Sequence, residues 1–288
     1  MPIDRPILFI GATRSGKSML ADMLGELDGF HTAFEPLGCW NYGFRDAGSD
    51  VRTREEANEQ VCQHIRSQIE KTLSTNNASR YIDDLPHHAL RIGFCHAVLP
   101  DARFVMVARD GIETIQDMKY GWEHKDTLGK VLARRLGGGH HKTLKLKKLP
   151  GQGIRWFNNA IRRRLGARRT TWGPTAPGQI EFAKDHSLIE TIAYQWQSFV
   201  THALDGLEQI PQEQVLHLRY EEVLTDPEEQ TRHLADFCGV ENPQILTDLA
   251  QRTIDKDRKP YSKALSSGEL ELVEPMISPV QSRLGYTH

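Results

Sequence analysis

The chain has 288 residues, 39% of them hydrophobic and 26% charged, with a formal net charge of −2. That length fits one large α/β domain or two small ones around a substantial core, and the composition is globular rather than disordered or fibrous. No stretch approaches the roughly 18 apolar residues of a membrane span, and the apolar run in MPIDRPILFIGAT is too short and wrongly flanked for a signal peptide. Cys39, Cys62, Cys95 and Cys238 form no CxxC pair, which argues against a disulfide framework or zinc site and for a reducing, cytoplasmic setting.

In chain order, Pro6 to Ile10 reads as a buried parallel strand. A glycine loop follows, and then Met19, Leu20, Met23, Leu24 and Leu27 recur at helical spacing. Phe30 to Phe34 reads as a second strand, ending in Glu35-Pro36. Residues 53–73 are charged and helical, with Val61, Ile65 and Ile69 on one stripe. Pro86 to Leu99 reads as a helix closed by Leu99-Pro100-Asp101, and Arg103 to Ala108 as another buried strand ending in Arg109-Asp110-Gly111. Residues 187–208 form a long helical pattern, and Val215 to Leu218 a later strand. Asp226 is the N-cap of a further helix, with Pro227 at its first position and Glu229 completing a capping box. Strands alternating with helices predict an α/β fold of P-loop type, three layers with a central, mostly parallel sheet and helices on both faces. No internal repeat is visible.

Residues 125–173 stand apart. They hold 14 Lys plus Arg against one acid, Asp126, so the segment carries +13 and the rest of the chain −15. With Gly137-Gly138-Gly139 inside it, the segment reads as a basic insertion or lid on a single domain covering residues 1–288, or as a solvated charged face. His140-His141 within it have no carboxylate or Cys partner nearby to make a metal site.

The sharpest motif is Gly11-Ala12-Thr13-Arg14-Ser15-Gly16-Lys17-Ser18, a complete GxxxxGK[ST] between a predicted strand and a predicted helix. Its glycines let the backbone turn its N–H groups inward, and the helix N-terminus adds positive potential for an anion. Lys17 can neutralise phosphate charge and Ser18 can donate. The clearest later strand ends in Arg109 before Asp110, and a basic residue there suits a second phosphate better than a metal.

Several segments together resemble the sulfotransferases that use 3′-phosphoadenosine 5′-phosphosulfate (PAPS). Thr13-Arg14-Ser15-Gly16 resembles their 5′-phosphosulfate loop, and Phe34-Glu35-Pro36-Leu37 the Glu-Pro element of the carbohydrate sulfotransferases. Pro100 to Phe104 running into Val107-Ala108-Arg109-Asp110 resembles their 3′-phosphate strand. Leu218 to Glu222 with Asp226-Pro227-Glu228, Trp172-Gly173-Pro174, and the tail ending Leu284-Gly285-Tyr286 also resemble family segments. The resemblance implies PAPS as co-substrate and no required metal. Three positions depart from the family's pattern. Lys17 stands where Thr is usual, Asp83-Asp84-Leu85-Pro86 replaces a Lys-x-Pro pattern on the strand near residue 82, and Asp117 replaces the 3′-phosphate Ser. Either Thr114 substitutes for that serine or the 3′-phosphate site is altered.

On this reading Glu35 is the candidate base, and Arg14 and Lys17 stabilise charge at the 5′-phosphosulfate. Thr13, Ser15, Gly16, Ser18 and Met19 supply loop contacts, and Arg109 takes the 3′-phosphate. Tyr220 packs near the adenine or fills the sheet edge. Arg258 and Lys259 close over the nucleotide or are plain surface charges. Trp122, Trp172 and Trp196 make a sugar-stacking wall or are core. The acceptor is a carbohydrate or glycolipid hydroxyl, and the basic segment attracts an anionic glycan or membrane surface. The alternative is a P-loop ATP-dependent kinase using Mg, with Asp110 or Asp83 as its acid. Nucleic acid is not an expected partner, since that reading leaves the P-loop and Glu35 unexplained.

Overall fold

A computed structural model describes residues 3–33, 36–45, 48–123, 172–254 and 264–286. Strands β1 (Ile7–Ile10), β2 (Phe30–Thr32), β3 (Arg80–Asp83), β4 (Arg103–Ala108) and β5 (Val215–Arg219) form one sheet in the order β2-β3-β1-β4-β5. All neighbouring pairs are parallel, with Ile7 beside Ile82 on one flank of β1 and beside Arg103 on the other. Alternate residues of the inner strands point to opposite faces. Ile7, Phe9, Val105 and Val107 enter one core, and Leu8, Ile10, Phe104 and Met106 the other.

The helices are α1 (Lys17–Gly25), α2 (Leu37–Trp40), α3 (Glu59–Thr75), α4 (Ile92–Val98), α5 (Gly111–Glu123), α6 (Gln179–Asp185), α7 (Leu188–Leu207), α8 (Tyr220–Thr225), α9 (Pro227–Cys238), α10 (Pro243–Thr253) and α11 (Ser267–Arg283). α1, α9 and α10 cover the first face; α3, α4, α5, α7 and α11 cover the second. The predicted three-layer α/β arrangement is thus the one observed. α3 starts where Asn58 accepts from the Val61 N–H (3.0 Å), and it buries Val61, Ile65, Ile69 and Leu73 on one stripe. α7 starts at a Ser187–Glu190 capping box and buries Ile192, Trp196 and Phe199, each large side chain contributing about 1.5–3 kcal/mol. No helix among the described residues is long and apolar enough to cross a membrane.

Some local expectations are corrected. β2 ends at Thr32, although the Ala33 N–H still pairs with Ile82 O (2.8 Å); Phe34 and Glu35 lie outside the described residues. Pro86 to Leu99 is not one helix. A 3₁₀ turn over Pro86–Leu90 is broken by non-helical backbone at Arg91 (φ −149°, ψ 35°) before α4 begins. The Arg91 guanidinium is drawn there to Asn41 Oδ1 (2.9 Å) and Asp50 O (3.0 Å). Asp226 caps α9 through the Glu229 N–H (3.2 Å), but the Glu229 carboxylate lies 4.0 Å from His233 Nε2 instead of completing the box. The basic segment falls outside the described residues except for Trp172 and Gly173, as do His140-His141, Arg258 and Lys259.

Candidate functional site

β1 has β3 on one side and β4 on the other, so its C-terminal end opens the crevice where ligands of such sheets bind. The glycine loop fills that opening. Arg14 (φ 73°) and Gly16 (φ 93°) are both left-handed, which turns the chain tightly into α1. A Cβ at Gly16 would fall inside the Tyr220 ring, so only glycine lets the loop rest there. Ser15 is buried, and its hydroxyl, like that of Thr13, has no hydrogen-bond partner among the described residues. Buried hydroxyls of this kind ask for an acceptor. Lys17 is also buried, its Nζ turned back onto Ala12 O (3.4 Å). Burial lowers its pKa, the Asp84 carboxylate pulls it partly back, and Arg14 depresses it further. An arriving anion would complete this cradle.

Ser18 donates a short hydrogen bond to Asp84, the residue just past β3. Its neighbour Asp83 points the other way. Wholly buried, Asp83 accepts from Trp40 Nε1 (2.7 Å), Tyr81 OH (2.8 Å) and the Leu85 N–H (2.9 Å), and lies 3.2 Å from His88 Nε2. His88 Nδ1 in turn meets Cys95 Sγ (3.2 Å). Trp40 therefore ties the turn that follows Glu35 to the strand end that precedes Asp84.

Arg109 closes the other side. Its guanidinium donates to Asp117 Oδ2 (2.7 Å), Arg14 O (3.0 Å) and Glu113 Oε2 (3.2 Å), and it lies 4.9 Å above the Tyr220 ring. The next residue joins the chain's two late motifs. The Asp110 N–H donates to Glu221 (2.9 Å), which also accepts from Tyr286 OH (2.6 Å), and Gln281 Nε2 donates to Asp110 (3.0 Å). Burial first, and then the Glu221 hydrogen bond, push the Tyr286 hydroxyl well above the ordinary tyrosine pKa.

A family model described as a sulfotransferase domain matches residues 4–269. The chain belongs to the sulfotransferase family. Among solved structures it is similar to sulfotransferase STF9 from Mycobacterium avium, with TM-score 0.55 and 12% identity over 100% of this chain and 78% of that one. It is also similar to the sulfotransferase domain from the curacin biosynthetic pathway, with TM-score 0.52 and 13% identity over 100% and 99%. For sulfotransferase STF1 from Mycobacterium tuberculosis H37Rv the TM-score is 0.50 and the identity 13%, over 96% and 77%. At such identities the likeness is one of fold. No curated protein matches the chain.

In this sulfotransferase the structure brings Thr13, Arg14, Ser15, Gly16, Lys17, Arg109 and Tyr220 together around one loop. Ser18 is exposed and committed to Asp84, and Met19 is half-buried on α1. Glu35 lies outside the described residues. Tyr220 fills core and also supports the loop, which joins its two sequence readings. Trp122 and Trp196 are core. Trp172 alone of the three stays partly exposed, with the Arg14 guanidinium 5.9 Å from its ring and Gly121 beneath it, where any Cβ would collide. Thr114 is not a replacement for serine at 117, because it is buried and its hydroxyl donates to Asp110 O (2.7 Å). Asp83, considered as a magnesium acid, is sealed in its own network. Asp84 is the site residue that sequence reasoning missed, although its place directly after a strand was a usable signal.

Proposed function

We propose that this sulfotransferase moves a sulfuryl group from PAPS to a hydroxyl of a carbohydrate or glycolipid acceptor. The reading treats residues 1–288 as one P-loop domain with 125–173 as a basic insertion or lid. The observation that carries it is the cradle of Ser15, Gly16 and Lys17: a buried hydroxyl with no partner among the described residues, a left-handed glycine at the head of α1, and a buried amine turned onto Ala12. These residues fit the 5′-phosphosulfate end of PAPS, the donor the family generally uses. When bound, PAPS supplies the activated sulfuryl group. Arg14 and Lys17 offset the charge that builds at that end, and Thr13, Ser15, Gly16, Ser18 and Met19 line it, with no metal required. Glu35 takes the proton from the acceptor hydroxyl oxygen. Arg109 is the residue assigned to the 3′-phosphate, but its fork is already engaged by Asp117 and Glu113, so that end does not fit as it stands.

Trp172, half-exposed beside Arg14, supports a stacking surface for a sugar ring. The +13 segment supports attraction of a dense anionic surface, a glycan or membrane, rather than nucleic acid. Four free thiols support a cytoplasmic setting.

The test is a transfer assay with PAPS and a panel of glycans and glycolipids, read by mass spectrometry. Sulfated product is expected without added metal. Phosphate transfer from ATP and magnesium, with no sulfate transfer from PAPS, would overturn the reading.

A further inference from the structure

The two ends of the nucleotide site are electrostatically unlike. At the loop, donors wait for an acceptor: among the described residues the buried Ser15 hydroxyl has no partner, and Lys17 donates to a backbone carbonyl. At Arg109 the acceptors are already present. Asp117, buried two turns along α5, takes one terminal nitrogen at 2.7 Å, and that nitrogen also serves Arg14 O. Glu113, one turn along and exposed, takes the other at 3.2 Å. Tyr220 covers one face of the guanidinium. Three of its five N–H groups are thus engaged, and what is left is the Nε–H, buried and without a partner among the described residues, and one N–H of the nitrogen that faces Glu113, so a phosphate would have to share the guanidinium with two carboxylates. Thr114 spends its hydroxyl inside its own helix. A phosphate dianion approaching here meets one cation already matched by two carboxylates, whose like charge opposes it.

We propose that Asp117 sets the donor specificity of this enzyme by holding Arg109 as an internal ion pair, so that the nucleotide is recognised through its 5′ end and gains little from a 3′-phosphate. The proposal rests on the sulfuryl-transfer reading and refines it. A donor bearing a free 3′-hydroxyl, adenosine 5′-phosphosulfate in chemical class, then competes with PAPS on nearly equal terms.

The experiment is calorimetric titration of the full chain with AMP and with adenosine 3′,5′-bisphosphate, followed by the same titrations on Asp117→Ser, Asp117→Asn and Arg109→Ala. In the wild type the two affinities should agree within about threefold. Asp117→Ser and Asp117→Asn should each raise bisphosphate affinity about tenfold or more while leaving AMP unchanged. Arg109→Ala should weaken both nucleotides alike, through the lost support of Arg14. Should the buried substitutions fail to fold by circular dichroism, Glu113→Gln at the exposed carboxylate should shift the ratio the same way by a smaller factor. A wild-type preference for the bisphosphate of about thirtyfold or more, or a ratio unmoved by every carboxylate substitution that folds, overturns the specificity proposal alone. Binding of neither nucleotide by folded protein overturns the sulfuryl-transfer reading and the specificity proposal with it.

Discussion

The carbonyl oxygen of Arg14 accepts a hydrogen bond from the guanidinium of Arg109 at 3.0 Å. One of these residues sits in the left-handed bend of the glycine loop and the other at the end of β4, so a single bond ties the loop's least favourable backbone to the central sheet. Arg109→Ala removes that bond and also the 2.7 Å partner of buried Asp117. A buried charge that loses its partner costs about 3–5 kcal/mol. Arg109→Ala/Asp117→Ala should therefore lose much less stability than Arg109→Ala alone. Urea unfolding of the double variant and of both single variants checks this, and losses that simply add would show that the pair is not coupled.

Gly16→Ala should destabilise the fold by about 1–3 kcal/mol from the left-handed backbone alone, with the Tyr220 ring adding steric strain. Nucleotide affinity should fall with it. Adding Tyr220→Ala should relieve the steric part and leave the backbone part, which thermal melts of the single and double variants would separate.

Two carboxylates can be told apart by kinetics. Glu35→Gln should lower kcat by about 10² to 10⁴ if Glu35 is the base. Asp84→Asn should act through its neighbours. It loses the carboxylate that receives the Ser18 hydrogen bond, and it removes the charge that raises the Lys17 pKa. Lys17, already depressed by burial, then loses its proton at lower pH, so the alkaline fall in nucleotide affinity should move to lower pH. A pH series of titrations on both variants reads this directly. An unmoved alkaline limb in Asp84→Asn would break the link to Lys17.

The buried Asp83–His88 pair should shape stability against pH. Burial by itself would lower the His88 pKa, but the Cys95 sulfur and the Asp83 carboxylate outweigh it and raise it from 6.5 to about 10. Its stabilisation is then fully present below pH 6.5 and is lost as pH rises through about 10. Burial would raise the Asp83 pKa, yet His88 and the hydrogen bonds around it bring it below 3.8, so its share is present above pH 3.8 and lost as the pH falls further. His88→Phe should cost about 3–5 kcal/mol near neutral pH, and the cost should shrink towards pH 10. Denaturation at several pH values tests the trend, and a pH-independent loss would point to packing alone.

Trp172→Ala should weaken the acceptor more than the nucleotide. The residue lies on the loop's rim and is held by its carbonyl to Gln195 Nε2 (2.9 Å). A rise in acceptor KM with nucleotide affinity kept within about threefold is the expected pattern. Equal losses in both would place the ring on the nucleotide side.

Much of this was legible before any coordinates, for local reasons. Ile7–Ile10 and Arg103–Ala108 are apolar runs of strand length, and Leu188–Leu207 carries a helical period behind a Ser187 cap. Gly11 to Ser18 announces its own chemistry through glycine spacing. β3 was harder, because Arg80-Tyr81-Ile82-Asp83 shows no apolar run although all four residues are buried. Its polar ends are satisfied by distant groups, Arg80 by Cys238 O (2.6 Å) and Asp83 by Trp40.

By itself, then, the sequence determined the strand-loop-helix at its start, the layered alternation and the family, since each depends on patterns within one turn or one strand. Tertiary structure alone decided which charges meet. Asp117 turns from a misplaced acid into the partner of Arg109 only when α5 leaves the end of β4 at the angle that points both side chains inward. Asp84 reaches Ser18 across 66 residues only because β3 and β1 lie side by side. Such pairings are set by strand order and helix packing, which no local period encodes, and they govern whether a cation at the site is free for a ligand or already matched.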